Sequence, residues 1–137
     1  MAVAVDTGVI LSAADTDEPR HEDCAAVLRR YHGQLLMAAP AVAETAWMIE
    51  SRLGPAAEAR FLRLITTGEF DVVDLTLDDY DRCIQLIETY ADMGLGLVDA
   101  SVVTIAERFR IGTIATLNRR DFTVVRPRHV EAFELLP

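Results

Sequence analysis

Short apolar runs alternate with longer amphipathic stretches along this chain, and that alternation sets the expected elements. Met1–Val5 is apolar at every position, the signature of a strand covered on both faces in a parallel sheet. Thr7–Ala14 continues as a helix that begins directly after Asp6. Leu35–Ala39, Phe70–Leu75 and Thr113–Thr116 read as further strands, and Val124-Val125 is expected to form a short fifth. Between them, Pro19–Tyr31 places Cys24, Val27, Leu28 and Tyr31 at the i, i+3, i+4, i+7 spacing of one helix face. Ala41–Leu53 carries Val42, Ala46, Trp47 and Ile49, and Ala56 to Thr67 has Phe61, Leu62, Leu64 and Ile65 as its apolar side. A helix starting at Thr76–Asp78 is expected to turn Tyr80, Cys83, Ile84, Ile87 and Tyr90 inward, and Val98–Phe109 is a strongly apolar helix. Gly33, Gly54-Pro55, Gly68 and the Met93–Gly96 turn separate these segments. The order β-α-α-β-α-α-β-α-α-β-β predicts a single α/β domain over residues 1–137. Its architecture is three-layered: a short central parallel sheet of four to five strands, flanked by helices, with right-handed crossovers.

Composition narrows the chemistry. At 137 residues and 51% hydrophobic, the chain is long enough to bury one good core. No apolar run approaches the roughly 18 residues that span a bilayer, and no basic segment opens a signal peptide, so a cytoplasmic location without a membrane partner is expected. Cys24 and Cys83 stand far from each other and from any histidine at ligand spacing, which suits small buried groups better than a disulfide or a zinc site. The chain has no lysine; all 13 basic residues are arginine. A P-loop, a receiver-type phosphoacceptor and a haloacid-dehalogenase-type site each need a lysine beside the phosphate, so these are excluded. The net charge of −9 argues against nucleic-acid binding by the surface as a whole. The charge is uneven, with 7 arginines against 18 acids in residues 1–102 and 6 against 4 thereafter, so a phosphate-facing patch is expected in the last third.

Three acids interrupt otherwise uncharged runs. Asp6 is the only charged residue in 1–14, Glu44 in 33–49 and Asp99 in 93–106, and each falls at an expected strand end or helix start. Asp6 and Asp99 also suit helix capping, and Glu44 suits a solvated helix face. A buried carboxylate costs several kcal/mol unless it is paired, hydrogen-bonded or bound to metal. In open α/β sheets ligands gather outside the carboxyl ends of the strands, where all three acids are expected. Such a set favours a hard divalent cation, Mg²⁺ or Mn²⁺ rather than zinc, and with it phosphodiester hydrolysis. After the expected strand Thr113–Thr116 comes Leu117-Asn118-Arg119-Arg120-Asp121-Phe122. It adds two polar oxygens, a fourth carboxylate and an arginine pair at the same edge, Arg119 and Arg120 being the best candidates for phosphate contacts. It also reads as an ordinary polar turn. His21, His32 and His129 are scattered and expected at the surface.

Four segments together, VAVDTGVI, APAVAETAW, GLVDASVVTIAE and IATLNRRDF, occur in the order found in PIN-domain ribonucleases. The chain resembles that family, and within it the VapC-type toxins of bacterial toxin–antitoxin pairs, over residues 3–122. The resemblance implies a doubly wound parallel sheet and a Mg²⁺- or Mn²⁺-dependent endoribonuclease acting on RNA. It further implies a homodimer and a cognate antitoxin whose C-terminal segment blocks the active site. Carried over by position, Asp6 and Asp99 would be the principal metal ligands and Glu44 a third catalytic acid. Thr7 would support the first turn and Thr116 would supply a strand-end hydroxyl. The chain departs from the family at Asn118, where many relatives have aspartate, and Asp121 then becomes the candidate fourth catalytic carboxylate. That departure keeps open a catalytically weak or inactive module that binds RNA or a partner without cutting. A DNA nuclease with the same metal chemistry is a third reading.

Overall fold

The computed structural model describes all 137 residues. Its centre is β1 (Val3–Val5), every residue of which is buried, as its uninterrupted apolar sequence requires. β1 pairs in parallel with β2 (Leu35–Ala38) on one side and β4 (Thr113–Ala115) on the other, Val3 facing Leu35 and Val5 facing Ala115. β3 (Phe70–Val73) extends the sheet beyond β2, and β5 (Glu134–Leu136) beyond β4, so the order is β3-β2-β1-β4-β5 and every pairing is parallel. Seven α-helices flank this sheet.

The helices follow the expected segments within a residue or two. α1 (Thr7–Ala14) starts on Asp6, and α2 (His21–Arg30) buries Cys24 and Val27. α3 (Ala39–Leu53) takes Pro40 into its first turn, where a missing amide proton costs nothing. Gly54, at φ +88°, lets the chain turn straight into α4 (Pro55–Thr66). α5 (Leu77–Thr89) opens on a full capping box: Thr76 Oγ1 accepts from the Asp79 amide at 3.1 Å, and Asp79 Oδ2 accepts from the Thr76 amide at 2.9 Å. α6 (Leu97–Arg108) is buried at seven consecutive residues, Ala100–Ala106. One core of 31 buried apolar residues runs from β1 through α6, and both cysteines lie in it as free thiols. No helix is long and apolar enough to cross a membrane.

Two expectations are corrected. Val124-Val125 is not a strand: Val124 closes a short helix, α7 (Arg119–Val124), and Val125 caps it while sinking into the core with Phe122. The fifth strand lies further on, at Glu134–Leu136, an edge strand without the apolar run that marked β1 and β2. The inward face of α5 is also rotated from the expected one. Leu86 and Cys83 are buried, whereas Tyr80 and Ile84 are 46% and 51% exposed. Likewise Leu62 and Leu64 on α4 are exposed, and Ala57 and Phe61 anchor that helix, Phe61 edge-on to Phe70.

Candidate active site

Asp6 follows β1 immediately, at the carboxyl edge of the central strand, and its backbone amide still donates to Ala115 O of β4. Only 6% of it is exposed. Oδ1 accepts the Thr7 amide at 2.9 Å, so the capping role is real, and Oδ2 accepts the Thr116 hydroxyl at 2.9 Å. Burial raises the Asp6 carboxyl above its ordinary range, the Thr116 and Thr7 hydrogen bonds oppose that rise, and the charge of Glu44 adds to it. The two roles considered for this residue therefore coexist in one side chain.

The three isolated acids share a single open pocket of about 450 Å³, with Asp6, Thr7 and Gly8 on one wall, Glu44 and Met48 on another, and Asp99, Leu117 and Asn118 completing it. α3 carries Glu44 and Met48 into it one helical turn apart. Asp99 is the third residue of α6, which begins on Gly96 with no side-chain cap, so Asp99 is not spent on capping. Its carboxyl is pushed up to about 7, first by burial and then by the charges of Asp6, Asp121 and Glu44, against a lowering hydrogen bond from Asn118. None of the chain's ion pairs involves Asp6, Glu44 or Asp99. The pocket is thus a concentration of like charge without a cation.

Asn118 lines this pocket and Asp121 lies behind it. The Asn118 amide donates to Asp121 Oδ2 at 3.0 Å and to Asp99 Oδ2 at a long 3.4 Å, so it spans two carboxylates. Its own backbone amide donates to Thr116 Oγ1, which links this loop to Asp6 through one hydroxyl. Arg119 reaches Pro137 O at 3.0 Å, and Arg120 lies 3.3 Å from Asp121 Oδ1 with most of its side chain in solvent. Despite that contact, Asp121 Oδ1 makes no hydrogen bond, and neither does the buried Thr7 Oγ1. Gly8, Met48 and Leu117 are wall residues that the sequence did not single out, although Gly8 follows the Asp6-Thr7 pair directly.

No three His, Cys, Asp or Glu side chains close around a common point. Mg²⁺ keeps several waters and is commonly held through one or two carboxylates, so an open pair of acids suits it where a zinc-like cage would not. The all-oxygen donor set, the uncompensated charge and the two buried oxygens lacking partners fit such an ion.

The PIN domain family profile matches residues 3–126. Ribonuclease VapC26 of Mycobacterium tuberculosis (strain ATCC 25618 / H37Rv) is 29% identical over 133 residues, which is 97% of this chain and 98% of that protein. Among solved structures, Mycobacterium tuberculosis VapC20, a sarcin–ricin-loop-cleaving toxin, superposes with a TM-score of 0.77 at 15% identity, over 82% of this chain and 87% of that one. A toxin–antitoxin complex from Klebsiella pneumoniae gives 0.70 at 19% identity, over 90% and 92%. VapBC2 from Rickettsia felis, bound to a fragment of its promoter DNA, gives 0.70 at 13% identity over the full length of both chains. At these identities the structural likeness speaks for the fold, and the profile match speaks for the lineage. The chain belongs to the PIN domain family.

Proposed function

We propose that this chain is the toxin of a type II toxin–antitoxin pair and acts as a Mg²⁺- or Mn²⁺-dependent endoribonuclease. The observation that carries the reading is the single pocket that gathers Asp6, Glu44 and Asp99 with no basic side chain among them. The relative named ribonuclease VapC26, which matches nearly end to end, supports both the activity and the toxin lineage.

In this reading Asp6 and Asp99 hold the metal, which when bound lowers the pKa of an attacking water and offsets charge building on the phosphate. Asp6 is held rigid for that task at both oxygens, by the Thr7 amide and the Thr116 hydroxyl. Glu44, half-buried on α3, is the acid left to accept a proton from water. Asn118 orients Asp99 by donating to it, and Asp121 sets the field behind. Arg119 and Arg120, in the first turn of α7 directly after Asn118, would contact the RNA backbone.

The partners follow from the same surfaces. A carboxylate-lined pocket takes an arginine from an antitoxin's C-terminal segment, because a guanidinium pairs bidentately with carboxylate. An apolar groove of about 340 Å³, lined by Ile10, Leu28, Phe61 and Leu64 among others, suits the apolar side of the same segment. Leu77, Tyr80 and Ile84 form an exposed strip along α5 at helical spacing, the face a second copy would cover in a homodimer.

Incubation of the antitoxin-free protein with total cellular RNA tests the activity. Discrete fragments should appear with Mg²⁺ or Mn²⁺ and vanish with EDTA or with Asp99→Asn. A second reading, a module that binds RNA or a partner without cutting, is favoured by the uncharged Asn118 lining the pocket while the carboxylate of Asp121 does not. Intact RNA at every metal concentration would select it.

A further inference from the structure

A second polar cavity shares no lining residue with the acidic pocket. It encloses about 590 Å³ between the start of α5, the end of α6 and the segment 128–129, and no apolar residue lines it. Arg110 lies before β4, whereas Thr116 and Asn118 of the acidic site lie after it. Along α6, Asp99 and Arg108 are nine residues apart, about 14 Å at 1.5 Å per residue.

Four arginines reach this cavity: Arg82, Arg108, Arg110 and Arg128. Two of them are spent on structure. Arg82 forks Glu107 at 2.8 and 2.9 Å, and Arg108 holds Asp79 at 2.6 Å. The guanidinium groups of Arg110 and Arg128 have no carboxylate partner. The Arg128 guanidinium donates to the neutral Gln85 Oε1 at 2.7 Å while its backbone amide donates to Glu107 Oε2 at 2.8 Å, and Arg110 takes part in no side-chain hydrogen bond or ion pair. The one remaining acid, Asp78, is exposed at the rim. His129, expected at the surface, is half-buried here. It donates through Nε2 to Ile111 O at 2.6 Å, and its buried Nδ1 has no partner.

The backbone adds an independent sign. Arg110 has φ +56°, the one non-glycine residue of the chain with positive φ. It occupies the position just past the end of α6 where the Ile111 amide donates to Ala106 O and the Arg110 amide to Glu107 O. Helices usually fill that left-handed position with glycine, because any other side chain is strained there. Arg110 thus holds an exposed guanidinium without a protein partner, at a strained backbone position beside a polar cavity, where an anion can pair with it.

We infer that this cavity is a phosphate-binding site held by Arg110 and Arg128. The phosphate is either that of a small free ligand or one in an RNA backbone, and the RNA source alone rests on the ribonuclease reading.

The test uses the full chain carrying Asp99→Asn, so that RNA stays intact, with the arginine Nε–Hε signals followed by NMR. Inorganic phosphate is titrated first, then a short mixed-sequence single-stranded RNA, each against sodium chloride at equal ionic strength. Arg110 and Arg128 signals should shift saturably, and Arg110→Gly should weaken binding about tenfold or more, the loss of one charge-assisted pair. It should also lower the salt slope of RNA binding by about 0.7. The same substitution should raise the unfolding temperature, because glycine suits the left-handed position; a residue with only a structural role would not combine a stability gain with an affinity loss. Shifts with phosphate alone assign the small ligand, and shifts with RNA alone assign the backbone. Shifts matched by sodium chloride, or binding unchanged in both Arg110→Gly and Arg128→Gln, overturn the site. RNA that binds nowhere while phosphate still binds here would count against the ribonuclease reading and leave this site standing.

Discussion

Metal-free, the acidic pocket stores repulsion that the fold has to carry, and Asp99 is the residue through which to measure it. Its carboxyl titrates near 7 rather than at the ordinary 3.8, through burial and three neighbouring acids. Below pH 4 the folded and unfolded chains both keep this proton, and the group has no effect on stability. Between pH 4 and 7 the unfolded chain has lost the proton while the folded chain retains it, so stability falls as pH rises. Above pH 7 the full penalty is present. At about 1.4 kcal/mol per pH unit, a midpoint displaced from 3.8 to about 7 sets a ceiling of about 4 kcal/mol. Asp99 is only half-buried and water screens part of the repulsion, so about 2 kcal/mol is the expected effect. Asp99→Asn should therefore stabilise the protein in EDTA at pH 8, by about 6 °C in unfolding temperature for a chain of this size. At pH 4 the gain should disappear. Millimolar Mg²⁺ should raise the wild type and leave the variant nearly unmoved, since only a ligand that binds the folded state stabilises it. Thermal unfolding across pH, with and without metal, checks all three statements. A variant less stable than wild type at pH 8, or one with the same pH profile, would refute the claim that these acids repel one another across the pocket.

Two further outcomes follow from hydrogen bonds around and behind the pocket. Thr116→Val keeps the shape but removes the donor to Asp6 Oδ2 and the acceptor for the Asn118 amide. Stability should fall by about 1–3 kcal/mol, and the Asp6 midpoint, already raised by burial, should rise further, moving the pH profile of RNA cleavage upward. Glu107 is pulled below its ordinary range because the Arg82 fork, with help from the Arg128 amide, outweighs the opposing effect of burial. Arg82→Met should strand Glu107, which is only 9% exposed, at a cost of about 3–5 kcal/mol by urea unfolding at pH 7. That loss should shrink as pH falls below the ordinary glutamate range and Glu107 takes up a proton.

The parts of this molecule that were legible in sequence are those where burial is expensive. Asp6, Glu44 and Asp99 stood out because each broke an apolar run, and the structure sets all three around one pocket. β1, β2 and β4 were legible for the same reason, and β3, an edge strand interrupted by the exposed Asp71, through its buried Phe70 and Val73. β5 was not: an edge strand needs only one covered side, and Glu134-Leu135-Leu136 carries no pattern that a turn could not. Val124-Val125 misled because two adjacent apolar residues suit the end of a short helix as well as a strand. Neither the order of Asn118 before Asp121 nor the polar turn that holds them said which would line the pocket and which would stand behind it. The arginine cavity was illegible altogether, since its residues are drawn from positions 76 to 129 and meet only through the packing of α5 on α6.

The position of β1 in the sheet has a consequence for how the molecule forms. β1 joins β2 across a local connection, so one half of the sheet can condense early. The other half waits for β4, whose partner residues lie more than a hundred positions away, and such distant pairings close slowly. Asp6 acquires its Thr116 partner only with that second closure, and the Thr116 amide is itself secured by Leu136 O. An early folding intermediate would thus have its first helix and half its core in place with the Asp6 carboxylate still unanchored, and the acidic pocket would be among the last features to become rigid.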